Sequence, residues 1–193
     1  MTKYPSIMKI VSSVFVLHAM TACSEKALET PGINYAKSGP LMLNVETVQV
    51  VSIPDTHPSK NRHAQEEAKL LRAEIERWAH SRFSAQGGED RAMITINKAT
   101  LRVLKDSKER EVSRVSRDFY EGKVDIKFDI LDSRGFVKGS VSSSIDQTVG
   151  IPETYTVHER EAQIKRLREE LVNATDNKIV KEISQNLILY MVQ

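Results

Sequence analysis

Gly122-Lys-Val-Asp-Ile-Lys-Phe-Asp-Ile-Leu-Asp-Ser-Arg-Gly-Phe-Val-Lys-Gly-Ser-Val141 is the stretch that decides the fold. Val124, Ile126, Phe128 and Ile130 alternate with Lys123, Asp125, Lys127 and Asp129. An apolar residue at every second position puts one row of side chains on one face of a β-strand. Asp132-Ser-Arg-Gly135 then reads as a four-residue turn with glycine last, where left-handed geometry is needed. Beyond it Val137, Val141, Ile145 and Val149 alternate with Lys138, Ser140, Ser142, Ser144 and Asp146. Folding about the turn sets Ile130 opposite Val137, Asp129 opposite Lys138 and Ile126 opposite Val141, so apolar meets apolar and acid meets base. A hairpin with one apolar and one polar face needs helices on the apolar side only.

Two helices supply that cover. Ala64, Ala68, Leu71, Ile75 and Trp78 recur at steps of four and three, which makes one narrow apolar face. Ser59 or Asn61 caps its start, and Gly87-Gly88 stops it. Thr156-Val-His-Glu159 fits a capping box. The helix it opens reaches towards Tyr190, roughly 50 Å if unbroken. Its apolar residues form two stripes, Ile164, Leu167, Leu171 and Ala174, then Val180, Ile183, Leu187 and Tyr190. At ~100° per residue the stripes lie on nearly opposite sides of a straight helix. We expect a kink or break near Asp176-Asn177. The alternative is that the two halves bury against different bodies, with Ile164, Leu167 and Leu171 offered to a protein partner.

The remaining strands lie upstream of the hairpin. Leu41 to Ile53 is apolar on both parities and blurs at Thr47–Gln49, as a bulged strand would. Ala92 to Leu104 changes parity between Ile96 and Leu101 and should also be irregular. Lys105 to Asp118 is dense in charge and reads as an exposed loop or hairpin tip. The order is β-α-β-β-β-α. It predicts an α+β two-layer sandwich: a mostly antiparallel four-stranded sheet with two helices on one face, formed by residues 41–193 as a single domain.

The N-terminus has a different character. Lys3 and Lys9 precede an apolar core from Ile10 to Met20, too short for a membrane span. Met20-Thr21-Ala22-Cys23 resembles the lipobox of bacterial lipoproteins, and Cys23 is the only cysteine. That resemblance implies cleavage between Ala22 and Cys23, which removes residues 1–22 as a signal peptide. It also implies acylation of the Cys23 thiol, with two or three chains holding the protein to a bilayer where one would not. Ser24 is similar to the residue that sorts such proteins to the outer membrane in a Gram-negative cell. Residues 23–40, with Pro31, Gly32, Gly39 and Pro40, read as a tether of about 20–25 Å.

Cleavage changes the charge balance. The chain has 28 Lys+Arg against 26 Asp+Glu, and the signal takes Lys3 and Lys9 with no acid, leaving a neutral domain. Neutrality argues against nucleic acid as a partner. With Cys23 acylated, no disulfide, thiolate nucleophile or cysteine metal site remains, so packing alone must hold the fold.

No catalytic constellation emerges. His57, His63, His80 and His158 lack metal-ligand spacing, and no metal or other cofactor is expected. Ser140, Ser142, Ser143 and Ser144 carry no nucleophile motif. Asp125 and Asp129 alternate with lysines on the polar face, a poor setting for acid–base work. The terminal run Leu187 to Val192 is apolar on several sides. It reads as core, with a lipid-contacting or oligomer surface as the alternative.

The element order is similar to that of small envelope-assembly lipoproteins, including the family that assists lipopolysaccharide insertion by plugging a β-barrel, and of auxiliaries of lipid-importing transporters. Only Met20 to Cys23 matches residue by residue. The anchor, the absence of a catalytic constellation and one compact domain together point to a non-enzymatic outer-membrane accessory in envelope assembly or lipid transport, facing the periplasm and docking a sheet face, sheet edge or helix stripe onto an envelope protein. A lipid- or peptide-binding auxiliary would instead need an apolar cavity among Trp78, Phe128 and Ile183. A hydrolase would need a cleft with convergent titratable groups.

Overall fold

The computed structural model describes residues 38–104 and 117–192. Cys23 and most of the charged run from Lys105 lie outside the described residues. The elements are β1 (Leu41–Leu43), β2 (Thr47–Ser52), α1 (Arg62–Arg82), β3 (Phe83–Ala85), β4 (Arg91–Leu104), β5 (Arg117–Leu131), β6 (Val137–Pro152) and α2 (Val157–Asn186), followed by a 3-10 turn over Ile188–Tyr190. Four strands form one sheet in the order β2-β4-β5-β6. The β4–β5 and β5–β6 pairs are antiparallel and β2–β4 is parallel. Both helices cover one face, so the fold is the expected α+β arrangement.

The alternation in β5 holds. Val124, Ile126, Phe128 and Ile130 are buried under the helices. The hairpin register differs from expectation by two residues. Val137 faces Leu131, then the ladder shifts and Gly139 faces Ile130, Ser140 faces Asp129 and Val141 faces Phe128. The turn is the cause. The Asp132 carboxylate accepts from the backbone N–H groups of Arg134 and Phe136, and Asp132 N–H donates to Phe136 O. Phe136 therefore stays in the loop, and Lys138 bulges out of the ladder. Gly135 supplies the left-handed step at φ 89°. Beyond the bulge a two-residue slip preserves parity, so side chains from Gly139 onward keep their faces, whereas Val137 pairs with Leu131 and is exposed. Lys138 leaves Asp129 for Asp90, at 2.7 Å.

The first strand is two strands. Asn44–Glu46 break it, and β1 pairs in parallel with β3 in a small second sheet. Helix α1 stops at Arg82, before Gly87-Gly88, because Phe83 turns extended and enters the core. Its ring packs edge-on to Trp78 at 5.6 Å and against Phe128 at 5.4 Å. Asn61 is the N-cap, accepting from Ala64 N–H at 3.0 Å. The irregularity expected in β4 falls between Ile96 and Lys98, and it turns Ala99 and Leu101 inward beside Ile94 and Ile96. Each fully buried Ile or Leu there contributes about 1.5–3 kcal/mol.

Helix α2 opens on the expected capping box, Thr156 with Glu159. It then runs unbroken for 30 residues, so there is no break at Asp176-Asn177. Leu167, Leu171, Thr175, Ile179, Ile183 and Leu187 are buried in succession. Steps of four residues drift ~40° per turn, so one stripe winds around the helix as it crosses the sheet. The two apparent stripes are its ends. Thr175 and Asp176 join them as buried polar residues. Asp176 accepts from Trp78 Nε1 and from Arg82 Nε, both at 2.8 Å. Arg168, also buried, ties α2 to Glu67 and Glu74 of α1.

Candidate functional site

Cys23 and Ala22 lie outside the described residues. The proposed partner stripe is corrected by the structure. Ile164, Leu167 and Leu171 are 0%, 3% and 0% exposed. Leu167 and Leu171 seat on Gly122 of β5, where an added Cβ would meet Leu171 Cδ1 at 2.3 Å. The apolar face that sequence periodicity offered to a partner is the one the sheet covers.

The polar candidates resolve into structural roles. Ser144 and Ser140 donate to Asp125 and Asp129 at 2.5 and 2.6 Å across the β5–β6 pair. Lys127 reaches Asp129 at 3.0 Å, and Asp129 is buried between them. Ser143 faces inward beneath α2 instead of lining the polar face. His57 Nδ1 bonds its neighbour Thr56 at 2.9 Å, and His63 packs edge-on to Tyr120, with ring centroids 6.5 Å apart. Burial and the nearby Asp118 carboxylate raise the Tyr120 pKa. No group of three metal-type ligands occurs among the described residues. Trp78, Phe128 and Ile183 are fully buried, so protein fills the place where a lipid- or peptide-binding auxiliary would need an apolar chamber.

Surface features remain. A cleft of about 480 Å³ opens between α1 and the chain leading to it, where Arg72 bonds Ser52 Oγ at 2.8 Å and the carbonyl of Ile53. Its lining mixes Asp55 and Glu76 with Lys69 and Arg72, which leaves no charge preference. A second groove, about 350 Å³, lies between β6 and α2 along Gln147, Val149, Gln163 and Arg166. It borders the edge of the sheet. Strand β6 is last in the strand order, and among the described residues no strand pairs with its outer side. Gln147 Oε1 is buried there without a hydrogen-bond partner. Lys178 of α2 reaches the Ser144 carbonyl at 3.1 Å. A strand of 16 residues presents a long row of backbone donors and acceptors. Sequence parity identified β6 but could not show that it ends the sheet, because strand order depends on where the parallel β2 inserts.

A third feature is apolar. Phe136, Val137, Ile188, Leu189, Val192 and Met42 are exposed at the end of the sheet carrying the β5–β6 turn. No helix among the described residues is long and apolar enough to cross a membrane.

No family model matches the chain, and no curated protein matches it. Solved structures do. A minor lipoprotein from Acinetobacter baumannii is 12% identical, with 78% of this chain and 98% of that one covered, at a TM-score of 0.41. Rare lipoprotein B from Shewanella oneidensis is 12% identical, covering 72% and 94%, at 0.39. An uncharacterized lipoprotein B from Nitrosomonas europaea is 18% identical, covering 74% and 84%, at 0.41. These similar structures are of bacterial lipoproteins; at such scores the likeness carries no functional weight for this chain.

Proposed function

We propose that the chain is a lipid-anchored, non-enzymatic accessory of the bacterial envelope, held at the outer membrane by acylated Cys23, that assists assembly or lipid transport by pairing its sheet edge with a larger envelope protein. The observation that carries the docking reading is β6, a 16-residue strand at the end of the sheet with a groove alongside. Such an edge binds an extended segment by adding it as a further strand: backbone hydrogen bonds supply affinity and side-chain pockets supply selectivity. The anchor rests on Met20-Thr21-Ala22-Cys23 and on Cys23 being the sole cysteine. The lipid- or peptide-binding auxiliary is the weaker reading, because Trp78, Phe128 and Ile183 close the core.

A photo-cross-linking residue at Thr148, exposed on β6, and another at Gln163 in the groove test this in whole cells. Both should form the same discrete adduct with one envelope protein. Arg77, exposed on α1, serves as the control and should not form it. Equal adducts from all three positions, or none from Thr148, would overturn edge docking. In the same cells Cys23→Ser should abolish acyl labelling; persistent label would remove Cys23 as the anchor.

A further inference from the structure

The exposed apolar residues at the turn end come from three segments tied to one another. Val192 N–H donates to Met42 O at 3.0 Å, and Asn44 N–H donates to Tyr190 O at 2.8 Å. Lys138 lies 5.9 Å from the Tyr190 ring centre. Leu187 seats on Gly139, where an added Cβ would meet its Cδ2 at 2.5 Å. Around this joint Leu189 is 87% exposed, Phe136 66% and Ile188 58%. Exposed apolar residues gathered on joined segments mark an interaction site. Two cations border it. Arg134 lies 5.5 Å over the Phe136 ring, and Lys138 is bonded to Asp90. Aromatic rings with basic side chains above apolar contact are the chemistry of a membrane interface.

The course of the chain selects the occupant. The first described residue, Ser38, lies four positions before Met42, and Gly39 O is held by Arg82. Whatever conformation the preceding residues take, the 15 positions from Cys23 to Ser38 span at most about 50 Å. The chain that leads to Cys23 therefore joins the domain at the end that carries the apolar residues, so this end can touch the bilayer with the tether slack, whereas the far end can do so only with the tether nearly fully extended. The opposite end, where Val157 begins α2, is about 45 Å further away along a helix of 30 residues.

We propose that this end of the domain rests on the phospholipid surface, with Leu189, Ile188 and Phe136 inserted at the headgroup boundary. The proposal rests on the anchored reading above and adds which face meets the membrane. Arg134 and Lys138 already have carboxylate partners in Asp132 and Asp90. Apolar insertion and not charge then carries the contact, which should persist at high salt.

The test uses the full lipidated chain in vesicles of phosphatidylethanolamine and phosphatidylglycerol with brominated acyl chains. Leu189→Trp and Phe136→Trp report depth, with Val157→Trp as the control. Trp78, fully buried, supplies a constant background. Bromine should quench the new emission at 189 and 136 by about twofold more than at 157, equally at low and high salt. Equal quenching at all three positions, or none at 189, would overturn the contact. Acyl labelling of Cys23 in the same preparation keeps the two ideas apart: label without quenching at 189 sinks the surface contact and leaves the anchor standing. Label absent sinks the anchor, and quenching of the same chain added to vesicles from outside then decides the contact. A dimer in sedimentation that dissociates with Leu189→Asp would assign the surface to a second copy and overturn the lipid proposal.

Discussion

Replacing Asp176 by leucine should be among the most damaging single changes in the domain. Asp176 sits mid-helix in α2, 7% exposed, and accepts from Trp78 Nε1 and Arg82 Nε at 2.8 Å each. Arg82 is equally buried and also donates to Gly39 O. The carboxylate thus joins α2 to the C-terminal turn of α1, and through Arg82 to the chain entering β1. Its removal strands a guanidinium in the core, a loss of about 3–5 kcal/mol. The indole N–H loses its acceptor at the same time, about 1–3 kcal/mol where water cannot replace it. The two costs overlap, so we expect about 4 kcal/mol in total, or a fall in Tm of about 10 °C for a domain of this size. Asp176→Asn keeps an acceptor oxygen and loses only the charge, so it should cost less. Asp176→Leu combined with Arg82→Met should recover most of the loss, because an apolar pair tolerates burial where half an ion pair does not. Urea unfolding followed by emission of Trp78, the sole tryptophan, measures all three variants. A loss below about 1 kcal/mol for Asp176→Leu, or a double variant no more stable than the single, would refute the reasoning.

Two further outcomes follow from packing and capping. Gly122→Ala drives a Cβ into Leu171 Cδ1, which is fully buried and cannot swing away, so it should cost about 1–3 kcal/mol. Adding Leu171→Ala should make the pair less costly than the sum of the two single changes; additive losses in urea would count against that contact. Glu159, hydrogen-bonded by the Thr156 hydroxyl and backbone N–H, has a pKa below its ordinary value. A lowered folded pKa means stability that is present above the ordinary carboxylate range and lost as the pH falls through the folded pKa. The Tm gap between wild type and Glu159→Gln should therefore be open at neutral pH and close in acid; a gap independent of pH would exclude the carboxylate as its source.

The fold was legible wherever a side-chain period met a flat or straight neighbour. Val124 to Ile130 alternate against a sheet face, and Ala64 to Trp78 step along a straight helix, so both were read correctly. The Thr156 cap was legible because both partners are local. What failed depended on distant geometry. Asp176 looked like a helix breaker because its partners, Trp78 and Arg82, lie far away in sequence. The α2 stripe looked like two because a helix crossing a twisted sheet buries a winding face, which a fixed angular test splits. The hairpin register slipped by two because the Asp132 carboxylate held Phe136 in the loop, a hydrogen-bond choice that parity does not encode. The candidate site fared similarly. Ile164, Leu167 and Leu171 are apolar enough for a partner or a core, and only their burial in the folded domain, with Leu167 and Leu171 over Gly122, shows that the core takes them. The free edge of β6 was invisible until strand order was known.

The two proposed surfaces constrain each other. Strand β6 begins at Val137, inside the apolar end, and runs 16 residues away from it, about 50 Å at strand rise. With Leu189 and Phe136 on the lipid surface, the unpaired edge stands away from the membrane. A protein in the same membrane would then meet that edge side-on along its length. An anchor that merely tethered the domain would leave the edge free to tumble, and each pairing would carry the orientational cost of ordering it. A domain seated on its apolar end has part of that cost removed beforehand. Loss of the lipid contact should therefore weaken edge pairing without touching β6: Leu189→Asp with Phe136→Ser should lower the yield of the Thr148 adduct while leaving the urea midpoint unchanged. An unchanged adduct yield would show that the edge finds its partner without help from the membrane.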